Sequence, residues 1–230
     1  LKKLGYDITV SGSNAMNSKQ EICDKYRNDA KRYNYMVSPS KFCTEKFHSA
    51  FQLSSKVKVI EKGYPRNDQL FKNPEKQALE IKKKLKLPKN KKIILYAPTW
   101  RDNEHQSGVG YVQTLHIDFD ILQKELGKDY IILFRSHYFI ANEFDFSKYH
   151  GFLYDVSKYD EVNDLYIVSD ILITDYSSVF FDFANLKRPM IFYMYDYESY
   201  KNNLRDFYID LEELPGPIMK ESNEIELCKM

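Results

Sequence analysis

The chain has 230 residues and a mass of 27.4 kDa, and it is 43% hydrophobic and 15% aromatic, enough for a packed core and unlike a disordered composition. Its 34 Lys and Arg against 33 Asp and Glu leave a formal charge of +1, which argues against a dedicated nucleic-acid-binding domain. No apolar run reaches the roughly 20 residues that cross a bilayer, and Cys23, Cys43 and Cys228 match neither a zinc spacing nor a disulfide framework, as expected in a reducing compartment.

The chain opens on Leu1 rather than Met, and its last seven residues read as a helix cut short, so a piece of a longer protein is expected. Residues 18–33 predict a polar surface helix and residues 33–38 a strand. Ser40 is placed to cap a helix running to about Phe51, and residues 57–60 predict a short strand. Gly63-Tyr64-Pro65-Arg66-Asn67-Asp68 carries the residues of a loop or turn. A lysine-rich helix is expected over 74–92, with seven lysines from Lys82 to Lys92; such a run serves as a solvated face or as a contact for an anionic membrane or polymer. Four apolar runs follow, at 93–97, 130–134, 170–174 and 189–193, separated by helical patterns at 117–126, 161–168 and 177–186. Strands apolar on both faces and alternating with helices predict an α/β fold with an open, doubly wound parallel sheet.

Ligands of such sheets bind beyond the carboxyl ends of the strands. The first run is followed by Pro98-Thr99-Trp100-Arg101, the second by Arg135-Ser136-His137-Tyr138 and the third by Asp175-Tyr176-Ser177-Ser178. If the strands are correctly placed, Thr99, Arg101, Arg135, His137, Asp175, Ser177 and Ser178 converge on one crevice. Thr174 and the residues after it lead into a helix, where free N–H groups and serine hydroxyls suit an anion; plain N-capping by Asp175 or Ser177 explains the same residues. Arg101, Arg135 and Arg205 have the fixed charge and forked donors to neutralise a diphosphate, or to form surface ion pairs. His137 is the histidine placed to act as a base near neutral pH. Asp118-Phe119-Asp120 has the spacing of a metal-holding pair but stands where a helix begins, and acids favour that position without a metal. No metal and no cofactor are expected. No GxGxxG or Walker pattern occurs, which speaks against a nicotinamide enzyme or a P-loop ATPase.

Taken in order, residues 1–8, the cluster at 63–68, Tyr96-Ala97-Pro98-Thr99-Trp100-Arg101, Arg135-Ser136-His137, Thr174-Asp175-Tyr176-Ser177-Ser178, Leu204-Arg205-Asp206-Phe207-Tyr208 and Glu213-Leu214-Pro215-Gly216-Pro217 resemble the CDP-glycerol:poly(glycerophosphate) glycerophosphotransferases, the teichoic-acid polymerase and primase family. The resemblance covers nearly the whole chain. It implies a GT-B type α/β fold with Rossmann-like doubly wound parallel sheets. Residues 1–69 would end the N-terminal, acceptor-side domain, and residues 70–230 would form most of the C-terminal donor-binding domain, truncated at its end. It implies transfer of glycerol phosphate or ribitol phosphate from a CDP-alcohol to a lipid-linked polymer hydroxyl, with release of CMP, in teichoic-acid or capsule synthesis. The resemblance also implies work in the cytoplasm, peripherally on the inner face of the membrane, with no nucleic acid as partner. His137 matches the family's second essential histidine. Asp175, Ser177 and Ser178 match its donor-diphosphate segment and Arg205 its arginine before the Phe-Tyr pair, while Arg66, Asn67, Thr99, Arg101, Arg135 and Thr174 complete the substrate-binding set. Two features depart from the family. Its other essential histidine, in a His-Gly-Thr motif, lies ahead of the segment where this chain begins, and Tyr138 stands where Pro is usual. The competing expectations are a GT-B glycosyltransferase using a nucleotide-sugar and a non-catalytic module that binds an anionic polymer through Lys82 to Lys92.

Overall fold

The structure is a computed structural model that describes residues 2–9, 18–99, 105–106, 110–111, 116–136, 144–203 and 207–230. It divides into two compact units, Leu1–Asp68 with Glu198–Asp210, and Gln69–Tyr197 with Leu211–Met230.

In the first unit, Ser18 and Glu21 cap α1 (Lys19–Ala30) reciprocally: the Glu21 N–H donates to the Ser18 hydroxyl at 3.3 Å and the Ser18 N–H to the Glu21 carboxylate at 2.7 Å. β1 (Tyr35–Ser38) and β2 (Lys58–Glu61) pair in parallel with Val37 opposite Ile60. Between them runs α2 (Lys41–Phe51), capped by the Ser40 hydroxyl as its sequence predicts. Gly5 has a φ of +48°, and a Cβ there would stand 2.2 Å from the Ala50 carbonyl oxygen, so only glycine lets the opening turn lie against α2. The segment near residue 208 is sewn to this turn. The Tyr208 hydroxyl donates to the Asp7 carboxylate at 2.7 Å and accepts the Leu4 N–H at 3.1 Å, while Ser49 donates to the same Asp7 oxygen at 2.5 Å. Burial, with the Asp7 carboxylate adding to it, holds the Tyr208 phenol above its ordinary range. Tyr208→Phe removes one donor and one acceptor and is expected to cost about 1–3 kcal/mol in urea unfolding of the chain.

The second unit is built on a six-stranded parallel sheet in the order β10-β9-β8-β3-β6-β7. The strands are β3 (Lys92–Ala97), β6 (Tyr130–Phe134), β7 (Leu153–Asp155), β8 (Ile171–Thr174), β9 (Met190–Tyr193) and β10 (Ile218–Met219). A small antiparallel ribbon, β4 (His105–Gln106) with β5 (Gly110–Tyr111), follows β3. One face of the sheet, with Ile94, Tyr96, Ile132, Phe134 and Ile173, forms a core with Phe119 and Leu122 of α4 (Phe119–Leu126) and Leu227 of α8 (Glu224–Lys229). Alternation sends Ile93, Leu95, Ile131, Leu133 and Leu172 to the other face. On that side α3 (Pro74–Lys84) packs on α5 (Val162–Val168), α5 on β3, and α6 (Val179–Phe183) on β8. α7 (Tyr197–Asn203), which follows β9 in the chain, belongs to the first unit from Glu198 onward. The doubly wound parallel sheet expected from the apolar runs is therefore present.

Local boundaries differ from the sequence-based expectations. A 3-10 helix, Pro65–Phe71, begins inside the stretch read as a loop or turn and runs past its end. The lysine-rich helix stops at Lys84, where Lys86 takes a left-handed φ of +54° and Pro88 bars continuation. The helix expected over 177–186 is five residues of α-helix followed by a 3-10 turn at Ala184–Leu186. β7 and β10 were not foreseen, because two or three residues are too few to show a period. Gly216, in the quoted Glu213 to Pro217 motif, is required by crowding: a Cβ there would lie 2.1 Å from the Met190 carbonyl oxygen at the start of β9.

Candidate active site at the carboxyl edge of the sheet

All six strands run the same way, so their carboxyl ends share one edge. The chain leaves β3 outward through β6 and β7, then returns to β8 and proceeds outward through β9 and β10. The direction reverses between β3 and β8, and such a reversal opens the crevice in which doubly wound sheets bind nucleotides. Thr99 follows β3, Asp175 to Ser178 follow β8, and Arg135 with Ser136 follows β6 on the other side of β3. The structure thus brings Thr99, Arg135, Thr174, Asp175, Ser177 and Ser178 to one edge.

Their side chains do different work there. Asp175 is 1% exposed, and one carboxylate oxygen accepts the Thr99 N–H at 2.8 Å and the Tyr176 N–H at 2.6 Å. Thr174, fully buried, donates its hydroxyl to the Ala97 carbonyl at 2.8 Å. These two bonds lace the ends of β3 and β8 across the reversal. Backbone N–H groups beyond the last ladder bond need acceptors, and Asp175 supplies one to each loop. The Thr174 hydroxyl and this Asp175 oxygen thus shape the edge from inside. Tyr176, also buried, donates its hydroxyl to Asp196 at 3.0 Å and so fastens the loop after β8 to the loop after β9.

Ser177 is half-buried and Ser178 exposed. The Ser177 hydroxyl accepts the Val179 N–H at 3.4 Å, a long bond, and Ser178, at the cap position of α6, makes no side-chain cap bond. Of the two capping candidates, Ser177 makes this one weak cap. With α6 only five residues long the aligned dipole is small, so any anion at this point meets hydroxyl and N–H donors rather than a strong helix field.

Arg135 is half-buried, and its Nη1 donates to the carbonyls of Val156 at 3.2 Å and Tyr159 at 2.6 Å. The N–H and the hydroxyl of Ser136 both donate to the Ser157 hydroxyl at 3.0 Å. Tyr159 in turn donates its hydroxyl to Asp164 at 2.6 Å and accepts from the Lys84 ammonium at 2.9 Å; burial, with the Asp164 bond adding to it, raises its phenol. Arg135 therefore spends its Nη1 donors on carbonyls after β7. Its charge still stands at the edge. Ser157 and Tyr159, which help hold this segment, escaped the sequence reading; the only signal was a three-residue apolar step, Phe152-Leu153-Tyr154, before Asp155.

The remaining expected positions lie elsewhere. Arg66 and Asn67 belong to the first unit, where the Arg66 guanidinium sits 4.1 Å from the Tyr64 ring centroid. Arg101, His137 and Arg205 lie outside the described residues. Asp118 caps α4, its carboxylate accepting the Asp120 N–H at 2.8 Å and the Ile121 N–H at 3.3 Å. The Asp120 carboxylate is held below its usual range by the Lys148 ammonium at 2.6 Å. Both acids thus have the helix-start role that competes with metal binding. Among the described residues no three or more His, Cys, Asp or Glu side chains gather as a metal site.

Three comparisons bear on this edge. The model of the family described as CDP-Glycerol:Poly(glycerophosphate) glycerophosphotransferase matches residues 1–227. A teichoic acid poly(glycerol phosphate) polymerase of Bacillus subtilis (strain 168) is 45% identical over 235 residues, covering 100% of this chain and 31% of the polymerase. A teichoic acid poly(ribitol-phosphate) polymerase of Bacillus spizizenii (strain ATCC 23059 / NRRL B-14472 / W23) is 43% identical but aligns with only 73% of the chain, covering 27% of that polymerase. The solved wall teichoic acid polymerase TagF superposes with a TM-score of 0.87 at 44% identity over 100% of this chain and 56% of that one, and with it comes the GT-B type α/β class expected from the sequence. A variant of TagF has also been solved after a soak with CDPG. The chain thus spans less than two thirds of the length of these relatives.

Proposed function

Because the chain belongs to the CDP-Glycerol:Poly(glycerophosphate) glycerophosphotransferase family, we propose that it is part of a transferase that moves glycerol phosphate from CDP-glycerol to the hydroxyl end of a growing teichoic-acid polymer, releasing CMP. Glycerol is preferred to ribitol as the cargo because a glycerol-type relative is 45% identical over 100% of the chain, whereas a ribitol-type primase that covers 96% of it is 32% identical. Residues 1–69 end the acceptor-side domain and residues 70–230 bind the donor. The acceptor is lipid-linked, and the protein works on the cytoplasmic face of the membrane.

In this reading an acceptor hydroxyl attacks the phosphorus that bears glycerol, and the bond from that phosphorus to the CMP oxygen breaks. His137 takes the hydroxyl proton or stabilises the transferring group. Positioning and charge neutralisation carry most of phosphoryl transfer. The hydroxyls of Ser177 and Ser178 face the diphosphate, and the roles of Arg66, Asn67, Arg101 and Arg205 in substrate binding rest on their motifs alone. The observation that carries the reading is the bond from Thr99 to Asp175, which holds two strand-end loops at the point where a parallel sheet receives a nucleotide.

Incubating the full-length protein with CDP-glycerol, CDP-ribitol and UDP-sugars, and measuring nucleotide release, tests it. Release of CMP from CDP-glycerol in the presence of acceptor is expected; release of UDP alone would make the protein a glycosyltransferase, and binding of polymer with no nucleotide dependence would make it a non-catalytic module. Ser157→Ala leaves two Ser136 donors without their acceptor next to His137. It is expected to lower kcat severalfold at little cost in KM for the donor, which a steady-state titration of CDP-glycerol would read.

A further inference from the structure

Charge is unevenly spread along this nearly neutral chain. Residues 71–92 hold nine lysines against Glu75 and Glu80, a local charge of +7 in a protein whose total is +1. The excess gathers on α3 and its two flanks. Lys76, Leu79 and Lys83 fall on one face of the helix at spacings of three and four, with Glu80 the acid beside them, Lys72 just before the helix and Lys86 just after it. This face is exposed, while Ile81 on the opposite side is buried and α3 packs there on α5. None of Lys72, Lys76, Lys83 and Lys86 forms an ion pair with a described residue, whereas Lys84 is engaged by Tyr159 and Lys91 by the Gly127 carbonyl. Among the described residues the two most exposed large apolar side chains are Leu79, at 72%, and Phe71, at 65%; both lie in this same segment.

We infer that this face of α3 is a docking surface for an anionic lipid bilayer, with Lys72, Lys76, Lys83 and Lys86 at the headgroups and Leu79 and Phe71 entering the boundary with the acyl chains. Lysines without partners gain from a negative leaflet, and the apolar tips standing among them match the make-up of interfacial helices. A soluble anionic polymer would account for the lysines but offers nothing to Leu79. The inference rests on the membrane-side part of the function proposed above and assigns it to a particular surface.

Flotation of the 230-residue chain with vesicles of phosphatidylcholine alone, and of phosphatidylcholine mixed with phosphatidylglycerol, tests it without any donor present. Binding to the mixed vesicles only, weakening with salt, is expected. Lys76→Gln with Lys83→Gln should lower partitioning about 25-fold, about fivefold for each charge removed, and Leu79→Ser should lower it further. These side chains are exposed and the variants should melt like the parent. Mixed-vesicle binding that survives all three substitutions overturns the assignment to α3 while leaving a membrane site elsewhere in the chain. No vesicle binding, or capture of soluble poly(glycerol phosphate) in its place, overturns the inference together with the membrane-side reading. A full-length protein without transfer activity whose vesicle binding still depends on these lysines supports the surface and rejects only the transferase.

Discussion

His137→Ala in the full-length protein is expected to slow CMP release from CDP-glycerol by about 10²- to 10⁴-fold, the usual contribution of a positioned general base. The expectation rests on the place of His137 in the sequence, two residues beyond Arg135 and immediately after Ser136, on the strand-end segment next to β3. The segment leading to it is anchored by Arg135 on two carbonyls and by Ser136 on Ser157. A base acting on the acceptor hydroxyl should leave donor affinity nearly unchanged. A pH profile of kcat/KM for the parent and the variant checks the role: the acidic limb should be lost with the imidazole. Parent-like turnover in the variant would remove His137 from the chemistry.

Asp175→Ala should have the second largest effect, and through a different route. Its buried carboxylate is the acceptor for the N–H groups of Thr99 and Tyr176, and bonds to a charged acceptor are worth more than neutral ones. Losing both is expected to destabilise the chain by about 3 kcal/mol and to free the loops after β3 and β8, weakening CDP-glycerol binding at least tenfold. Asp175→Asn keeps an oxygen where the carboxylate stood and should recover most of the stability. Urea unfolding with isothermal titration of CDP-glycerol separates the two effects. If the Ala variant loses donor affinity while unfolding like the parent, Asp175 touches the donor itself and the structural role argued here fails.

After β8, Ser177 and Ser178 are at least partly exposed, whereas Thr174 and Asp175 are buried and bonded to the end of β3. That division could not be read in a linear motif. Thr174-Asp175-Tyr176-Ser177-Ser178 presents five consecutive residues with equal claims. Only the neighbouring strand decides that the first two face Ala97 and Thr99 and that the last two face outward. The family's Gly216 is likewise explained by a strand it does not adjoin in sequence, because its α-carbon is pressed against the Met190 carbonyl.

Hydrophobic periodicity alone determined the α/β class, four of the six parallel strands and the regions of their helices, because a strand buried on both faces must be apolar throughout and a short run of that kind is visible locally. The order of the motifs determined the family, because each is a local string. What the tertiary structure alone decided was the strand order, which places β3 beside β8 and creates the reversal, and the partners of Thr99, Arg135 and Ser136. Those partners lie 76 residues away for Thr99 and 21 to 24 for Arg135 and Ser136. Crossover connections bring such groups together in space, and a hydrogen bond depends on distance in space rather than on separation along the chain.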